Sequence, residues 1–264
     1  MEQILVLMLV FLVVSILFSM LGLGGGILYV PILLFAGFGM TKAPGISLIL
    51  IMATSLAALF TFLRNRKVDW KLAMVIDPPT DIMAFVGGYC SALIPDSALR
   101  SMLVIVLLIA GTLMLRNTRI GTVPDSVDNH WWRWQRNFNG KYYSVNLPLV
   151  LMATALIGLL SGMLGITGGI IKLPIMVLLC GVPMDIAVAT STVMVAATAI
   201  SGLVGHAING QVDWKVGLLL AGAAVVGGFL GSRISVSMDK SRLKRWFGIV
   251  VYMVALRMIT QLIW

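Results

Sequence analysis

The chain has 264 residues, of which 59% are hydrophobic and 11% are charged. Soluble domains contain about 45–50% apolar and about 25% charged residues, so this composition excludes a water-soluble globule, a disordered chain and a coiled coil. The net charge of +9 would suggest a nucleic-acid partner in a soluble protein. In a membrane protein, however, it is typical of cytoplasmic loops rich in lysine and arginine. We therefore predict an all-α integral membrane protein whose partner is the lipid bilayer, with no nucleic acid.

Ten apolar segments follow one another along the chain. A helix needs about 20 residues to cross a bilayer, so the pattern predicts about eight full transmembrane helices, or ten segments if two of the helices are broken. The second and seventh segments are short and directly follow runs of glycine. In chain order the segments are residues 4–21, 27–39, 43–63, 72–93, 99–115, 147–164, 170–182, 186–205, 215–234 and 246–264.

The second half of the chain repeats the first with a period near 143 residues. The stretch Gly22-Leu-Gly-Gly-Gly-Ile-Leu-Tyr-Val-Pro31 aligns with Gly165-Ile-Thr-Gly-Gly-Ile-Ile-Lys-Leu-Pro174, and the tetrapeptide Val-Asp-Trp-Lys occurs at 68–71 and again at 212–215. Landmarks in the same order indicate an internal duplication. We predict a first transmembrane repeat over 1–115, a cytoplasmic amphipathic linker over 116–146 and a second transmembrane repeat over 147–264.

The distribution of lysine and arginine predicts how the chain crosses the membrane. If each glycine run reverses the chain, the loops 64–71 and 233–245 and the linker lie on one side, and fourteen of the nineteen cations are cytoplasmic. If each run is only a kink, five of these cations lie outside, against the positive-inside rule. The reversing arrangement is favoured, and it predicts extracytoplasmic termini. Because each repeat then has an odd number of segments, the two repeats have inverted topology, as in many secondary transporters.

The two glycine runs are the strongest candidates for a binding site. Each run precedes a short helix whose free N–H groups carry a partial positive charge, and inverted symmetry brings two such helix ends together. An anion held there would contact Gly24, Gly25 and Gly26 of the first run and Thr167, Gly168 and Gly169 of the second. The alternative is that the glycines only let helices pack closely, as small residues do in membranes.

Lys172 lies three residues after the second run, where the first repeat has Tyr29. A lysine near the centre of a bilayer costs at least about 2.5–3.5 kcal/mol, so it should face a wet or anionic cavity. It would either bind an anionic substrate or have a structural role, in which it extends to the membrane interface or pairs with an aspartate. Hydroxyl groups can also donate to an oxyanion, and three near the runs are candidate ligands: Ser47, Thr190 and Ser191.

Other polar residues have several interpretations. Asp77 and Asp81 are candidates for proton coupling, although a polar entrance or a structural break is an equally good reading of Asp-Pro-Pro-Thr-Asp. His206 is predicted to be an interfacial side chain rather than a proton switch. Asp69 and Asp213 are predicted to cap the helices that follow them. Two cysteines, in apolar segments, exclude a disulfide framework or a zinc site and leave any role of Cys90 or Cys180 open.

The linker contains Trp131, Trp134 and Phe138 at spacings of three and four residues, with Arg133 and Arg136 between them. This pattern predicts a short amphipathic helix over 125–139 that lies on the cytoplasmic leaflet.

The doubled glycine motif, Ala189-Thr190-Ser191 and the two Val-Asp-Trp tripeptides resemble the sulfite exporter TauE/SafE family over nearly the whole chain. Two departures are Thr167 within the second run and the less regular Lys42-Ala-Pro-Gly-Ile-Ser47. The resemblance implies an inner-membrane transporter of sulfite, sulfoacetate or a related anion, with export as the expected direction. An anion channel or a permease for another small anion is the alternative. We expect no enzymatic activity and no cofactor or metal, and the sequence leaves a homodimer open.

Overall fold

The helices of the computed structural model coincide with the predicted apolar segments. The structure describes residues 2–22, 26–115, 132–236 and 240–263. Five of the described helices are long and apolar enough to cross a membrane, with shorter apolar helices beside them, so the prediction of an all-α membrane protein is confirmed. In chain order the elements are α1 (Glu2–Met20), α2 (Gly26–Phe35), α3 (Ala43–Arg64), α4 (Trp70–Ile76), α5 (Pro78–Cys90), a 3₁₀ turn (Ser91–Leu93), α6 (Asp96–Leu115), β1 (Arg133–Phe138), β2 (Lys141–Asn146), α7 (Leu147–Leu164), α8 (Gly169–Pro174), a π-helical stretch (Ile175–Leu179), α9 (Met184–Ile208), α10 (Trp214–Ser235) and α11 (Lys240–Ile263).

The repeated Val-Asp-Trp-Lys tetrapeptide begins an equivalent helix in each half. The Asp69 carboxylate accepts hydrogen bonds from the backbone N–H groups of Lys71 and Leu72 at the start of α4. Asp213 accepts one from Val216 at the start of α10. Both predicted caps are therefore confirmed. The halves differ further along, because in the first half the helix breaks at Asp77, where Pro78 and Pro79 cannot donate backbone hydrogen bonds.

The short helix that follows each glycine run contacts the helix that precedes the run. The rings of Phe11 in α1 and Tyr29 in α2 are 5.3 Å apart in an edge-to-face contact, whereas eighteen residues of continuous helix would separate them by about 27 Å. In the second half, a Cβ built on Gly168 would lie 2.9 Å from the side chain of Ile157, eleven residues earlier. In both halves these residues are therefore closer together than a continuous helix would allow.

Helices of one half of the chain pack on helices of the other half. Helix α5 of the first half packs on α7 of the second, and the counterparts of these helices, α10 and α1, pack on each other in the same way. Glycines make these contacts close. A Cβ on Gly87 of α5 would meet the backbone of Leu159 in α7, and one on its counterpart Gly227 of α10 would meet the carbonyl oxygen of Leu12 in α1. The Gly-Gly pairs at 87–88 and 227–228 therefore serve helix packing.

Helices α3 and α9 form the centre of the bundle and run antiparallel. The buried share of their most apolar stretches is 56% and 78%, against 44% for α6, α7 and α10. Near the start of α3, Gly45 approaches the backbone of Gln211, which follows the end of α9. At the other end, the N–H of Asp69 donates to the Thr190 hydroxyl, near the start of α9, over 3.1 Å. Equivalent helices of the two halves thus point in opposite directions.

Helices α6 and α11 are a second pair of counterparts that pack on each other. A Cβ on Gly111 would lie 3.3 Å from the Tyr252 ring, and one on Gly248 would lie 3.0 Å from the Leu115 side chain. As the numbers rise along one helix they fall along the other, so this pair is antiparallel as well.

The cation-rich loops gather at one end of the bundle. Asn139 donates to the backbone carbonyl of Arg66 over 3.3 Å, which places the β1–β2 hairpin beside the loop after α3. Ser232, near the end of α10, donates to Thr61, near the end of α3, over 2.8 Å. The second cationic loop, which follows α10, therefore begins at the same end of the bundle. We call this end of the bundle the cationic end. At the opposite end Asn209, after α9, donates to the carbonyl of Tyr89 in α5 over 2.7 Å.

The prediction of a helix in the linker is wrong for those linker residues that the structure describes. Residues 133–138 form β1, which pairs antiparallel with β2, and residues 125–131 lie outside the described part. Asn139 and Gly140 form the two-residue turn with positive φ values of 52° and 75°. Asn-Gly is the strongest short-range signal for a hairpin, and alternation of Trp134, Arg136 and Phe138 fits a strand as well as a helix face.

Candidate functional site

The turns at the two glycine runs are held by hydrogen bonds that the halves exchange. The Ser47 hydroxyl of the first half donates to the carbonyl of Gly165 over 2.6 Å. The Ser191 hydroxyl of the second half donates to the carbonyl of Gly22 over 3.0 Å. Gly22 and Gly165 have φ values of +67° and +65°, which favour glycine because a Cβ would strain the backbone. Two predicted anion ligands thus bind backbone carbonyls at equivalent positions.

Gly26, the last glycine of the first run, lies against the second run. Gly26, the first residue of α2, is buried, and a Cβ built on it would lie 2.7 Å from the methyl group of Thr167 in the second run. Thr167 is 4% exposed, and its hydroxyl is buried without a hydrogen-bond partner in the described part of the chain. Thr167 and Gly168 line a small cavity together with Ile27 of α2 and Ile157 of α7. Gly24 and Gly25 lie outside the described residues.

Lys172 is fully buried and paired. It is 1% exposed, and its Nζ lies 2.5 Å from Oδ1 of Asp77 and 3.1 Å from Oγ1 of Thr198 in α9. The Thr198 hydroxyl in turn shares its proton between Oδ1 of Asp81, 3.0 Å away, and the carbonyl of Met194, 2.8 Å away. The four residues form a polar cluster, Lys172–Asp77–Thr198–Asp81, between α8, the α4–α5 break and α9. Of the two interpretations of Lys172, the structure has the one in which it pairs with an aspartate.

The lysine also lies along the second glycine run. A Cβ on Gly168 would be 3.5 Å from Cε of Lys172, so the aliphatic part of the side chain passes the run before its ammonium group reaches Asp77. The cluster and the run are therefore adjacent parts of one buried site.

The equivalent position in the first half is neutral. Tyr29 takes the place of Lys172, and its hydroxyl lies 2.9 Å from Oγ1 of Thr54, the counterpart of Thr198. No charged side chain of the described chain joins this pair. The internal duplication thus provides two similar frames, of which one carries a charged cluster and the other a tyrosine.

Two predicted residues serve other contacts. The Thr190 hydroxyl accepts the backbone N–H of Asp69 and joins the start of α9 to the cationic end. The interfacial position predicted for His206 is wrong. The ring is 1% exposed, with Nε2 2.8 Å from the carbonyl of Gly162 and Nδ1 2.8 Å from Oε1 of Gln211. The hydrogen-bond partners of His206 lie in α7 and in the chain after α9. The hydropathy of the residues around His206 therefore could not predict them.

A second polar cluster, which sequence reasoning missed, fixes the hairpin to the bundle. Arg136 donates to both carboxylate oxygens of Asp69, over 3.1 Å and 2.9 Å, and Tyr143 of β2 donates to the same carboxylate. Burial of Asp69 raises the pKa of its carboxyl, but the hydrogen bonds from Arg136 and Tyr143 lower it more, so this pKa lies below its ordinary value. The carboxylate stays charged and holds the hairpin over the end of α4.

A bundle of apolar helices around a buried, charged cluster at two broken helices is the architecture of a membrane transport protein. The chain matches the sulfite exporter TauE/SafE family over residues 7–258. It is 27% identical over 252 residues to the probable membrane transporter protein YunE of Bacillus subtilis, with 92% of each chain covered. It is 26% identical over 234 residues to the probable membrane transporter protein YfcA of Escherichia coli strain K12, covering 86% of this chain and 79% of YfcA.

A probable membrane transporter protein of Methanocaldococcus jannaschii is 27% identical over 248 residues, covering 88% of this chain and 86% of the relative. No solved structure matches the chain. The chain belongs to the sulfite exporter TauE/SafE family and is a multi-pass membrane transporter.

Proposed function

We propose that this protein is a secondary transporter of sulfite or a related small organosulfur anion such as sulfoacetate. The expected direction is export across the inner membrane. The anion is held near the middle of the membrane, between the helix N-termini of the two glycine runs, and reaches either side by alternating access. The substrate class comes from the family's description, and the place of the anion comes from the site.

The contact between Gly26 and Thr167 carries the proposal. Helices α2 and α8 begin on either side of this contact, so their first N–H groups, which lack partners within a helix, face a common centre. The Thr167 hydroxyl adds a buried donor without a hydrogen-bond partner among the described residues. Since α8 continues without interruption into the π-helical stretch, a helical segment of eleven residues backs the second run. Gly24, Gly25, Gly168 and Gly169 complete the proposed backbone cradle.

The proposed inverted topology of the two halves rests on helix direction. The counterparts α3 and α9 are antiparallel, and so are α6 and α11. If both members of such a pair cross the bilayer, the halves enter it from opposite sides, which is the arrangement that supports alternating access. We place the cationic end in the cytoplasm because of the positive-inside rule.

The burial of the site favours a carrier over an anion channel. A channel needs a continuous wet path, whereas Lys172 and Thr167 are 1% and 4% exposed and the ammonium group is occupied by Asp77. Asp77 and Asp81 remain the candidates for proton coupling, because carboxylates inside a membrane commonly carry protons.

The proposal is tested by the flux of radiolabelled sulfite into proteoliposomes that contain the purified protein, with and without a pH gradient. We expect saturable flux that the double variant Lys172→Met/Asp77→Asn lowers at least tenfold. Changing both partners avoids leaving either member of the ion pair buried without the other, which would itself destabilise the fold.

The matched control is Lys141→Met/Asp185→Asn, which removes a lysine–aspartate pair of 3.2 Å at the surface and should keep the wild-type flux. Wild-type flux no greater than that of empty liposomes, for sulfite and for sulfoacetate, would refute the proposed substrate class. Equal flux in the two double variants would refute the proposed site.

A further inference from the structure

The polar cluster has two carboxylates for a single ammonium group. Asp77 and Lys172 form the ion pair, and Asp81 reaches the lysine only through the Thr198 hydroxyl, which accepts from Nζ and donates to Oδ1 of Asp81. With all three groups ionised the cluster has a net charge of −1. An anion that approaches this cluster is repelled, and it finds the ammonium group already neutralised.

The lysine is nonetheless the cation beside the proposed anion site. Its Cε is close to Gly168, and its Nζ is held by Asp77 at 2.5 Å. A substrate anion at the second run would therefore compete with Asp77 for the same ammonium group. Because separating a buried ion pair leaves an unpaired charge that costs several kcal/mol, the anion replaces Asp77 only if the carboxylate is neutralised.

We infer that the substrate anion and a proton bind together at the Lys172–Asp77 pair, the anion to the ammonium group and the proton to the carboxylate, so that one proton crosses the membrane with each anion and in the same direction. The inference rests on the proposed function. A proton binds a carboxylate oxygen of Asp77 and makes it a neutral acid. Lys172 remains an ammonium ion throughout and transfers its hydrogen bond from Asp77 to the anion. When the anion leaves, Asp77 releases its proton to the same side and pairs with Lys172 again.

The surroundings of Asp77 make it the site of this proton. Helix α8 contributes Lys172, α5 contributes Asp81, and α9 contributes the neutral Thr198. Helix α7, which packs on α4 and α5, contains no ionisable residue between Leu147 and Leu164. On α4 itself Lys71 is exposed at the cationic end. The ionisable residues Asp185 and His206 lie at the ends of α9, in contacts with Lys141 and Gly162. Asp81 competes with Asp77 for the lysine's charge, and its negative charge favours protonation of its neighbour.

The test measures the binding of sulfoacetate to the purified, detergent-solubilised full chain as a function of pH. Sulfoacetate is the suitable probe because its carboxyl and sulfonate groups keep their charges from about pH 5.5 to about pH 8.5, whereas sulfite takes up a proton itself. In the wild type we expect the affinity to fall about tenfold per pH unit on the alkaline side, and about one proton to be taken up from an unbuffered solution with each bound anion.

The variant Asp77→Asn imitates the neutral acid. We expect it to bind sulfoacetate at least as tightly as the wild type does at low pH, with an affinity that no longer depends on pH. The matched control Asp185→Asn removes a carboxylate from a surface ion pair and should keep the wild-type slope and proton uptake.

The outcomes separate this inference from the proposed function. If the wild type binds sulfoacetate with the same affinity at every pH and takes up no proton, or if Asp77→Asn keeps the wild-type slope, the coupled binding is wrong while anion transport stands. If the wild type binds neither sulfoacetate nor sulfite, the proposed function fails and the coupled binding fails with it. Even if Asp77→Asn does not fold, the wild-type slope and proton count decide whether a proton binds with the anion.

Discussion

At the scale of single residues, two glycines of one helix differ in whether the packing requires them to lack a side chain. Gly228 and Gly222 both lie in α10. A Cβ on Gly228 would lie 3.0 Å from Cα of Thr54 and closer still to its carbonyl oxygen, whereas a Cβ on Gly222 would meet nothing within 4 Å. The first glycine is required by the approach of α3, and the second has no contact that requires it.

We therefore predict that Gly228→Ala lowers the free energy of unfolding by about 1–3 kcal/mol, because the extra methyl group separates α10 from α3. Gly222→Ala should leave stability unchanged or raise it by up to about 1 kcal/mol, since alanine favours the helix. Thermal unfolding in detergent, compared between the two variants, measures the difference. Equal stability of the two variants would contradict the packing role of Gly228.

At the scale of elements, the hairpin is a substantial addition to the bundle. Tyr143 and Val145 of β2 are buried, at 2% and 0% exposed, in an apolar cluster that includes Leu72 of α4 and Met194 of α9. The Asp69–Arg136–Tyr143 cluster lies at the edge of this contact. Only the first half has the arrangement, because Asp213, the counterpart of Asp69, is a helix cap with no such hairpin partner among the described residues.

We predict that Arg136→Ala weakens the docking of the hairpin by about 1.5–3 kcal/mol, the usual value of hydrogen bonds to a charged group. The control is Arg133→Ala on the same strand. Unfolding followed by tryptophan fluorescence, to which Trp134 contributes, measures the change, and equal transitions in the two variants would contradict it.

The same contact predicts a dependence on pH. Because the pKa of Asp69 is lower in the folded protein than its ordinary value, its contribution to stability is present above the ordinary carboxyl pKa and is lost as the pH falls through the lowered one. The difference in stability between wild type and Arg136→Ala should therefore shrink in this acidic range. A difference that stays constant down to the lowest pH at which both fold would show that Asp69 is not its origin.

At the scale of the whole molecule, helices of one half pack on helices of the other, and the resulting bundle has two distinct ends. The cationic end holds the loop after α3, the hairpin and the start of α9, whereas the loops before α3 and after α9 lie at the opposite end. A reagent that cannot cross the bilayer should therefore react with the loop residues at one end of the bundle and not with those at the other end.

We predict that Lys42→Cys and Lys71→Cys, each made in a background without Cys90 and Cys180, react from opposite sides. Both lysines are exposed, so the two new thiols differ in position rather than in access. With the cationic end in the cytoplasm, an impermeant maleimide added to intact cells should label the cysteine at 42, and labelling at 71 should require broken cells. Labelling of both in intact cells would refute the proposed topology.

The amino-acid sequence by itself determined the features that depend on neighbours along the chain. Hydropathy predicted the membrane segments, and the doubled glycine motif indicated the repeat and the two turns. The positions of Asp69 and Asp213 predicted their helix caps. The Asn139-Gly140 turn is also a feature of neighbouring residues, and as a hairpin signal it outweighs the aromatic spacing that suggested a helix.

Only the tertiary structure decided which polar groups meet. Lys172 and Asp77 are 95 residues apart in the chain, Ser47 and Gly165 are 118 apart, and Arg136 and Asp69 are 67 apart. Each is polar within an apolar or capping context, so each pattern allowed a ligand, a partner or a surface position. Inside a bilayer a charged or hydroxyl group needs a partner, and the order in which the helices of the two halves exchange neighbours determines which partner it finds.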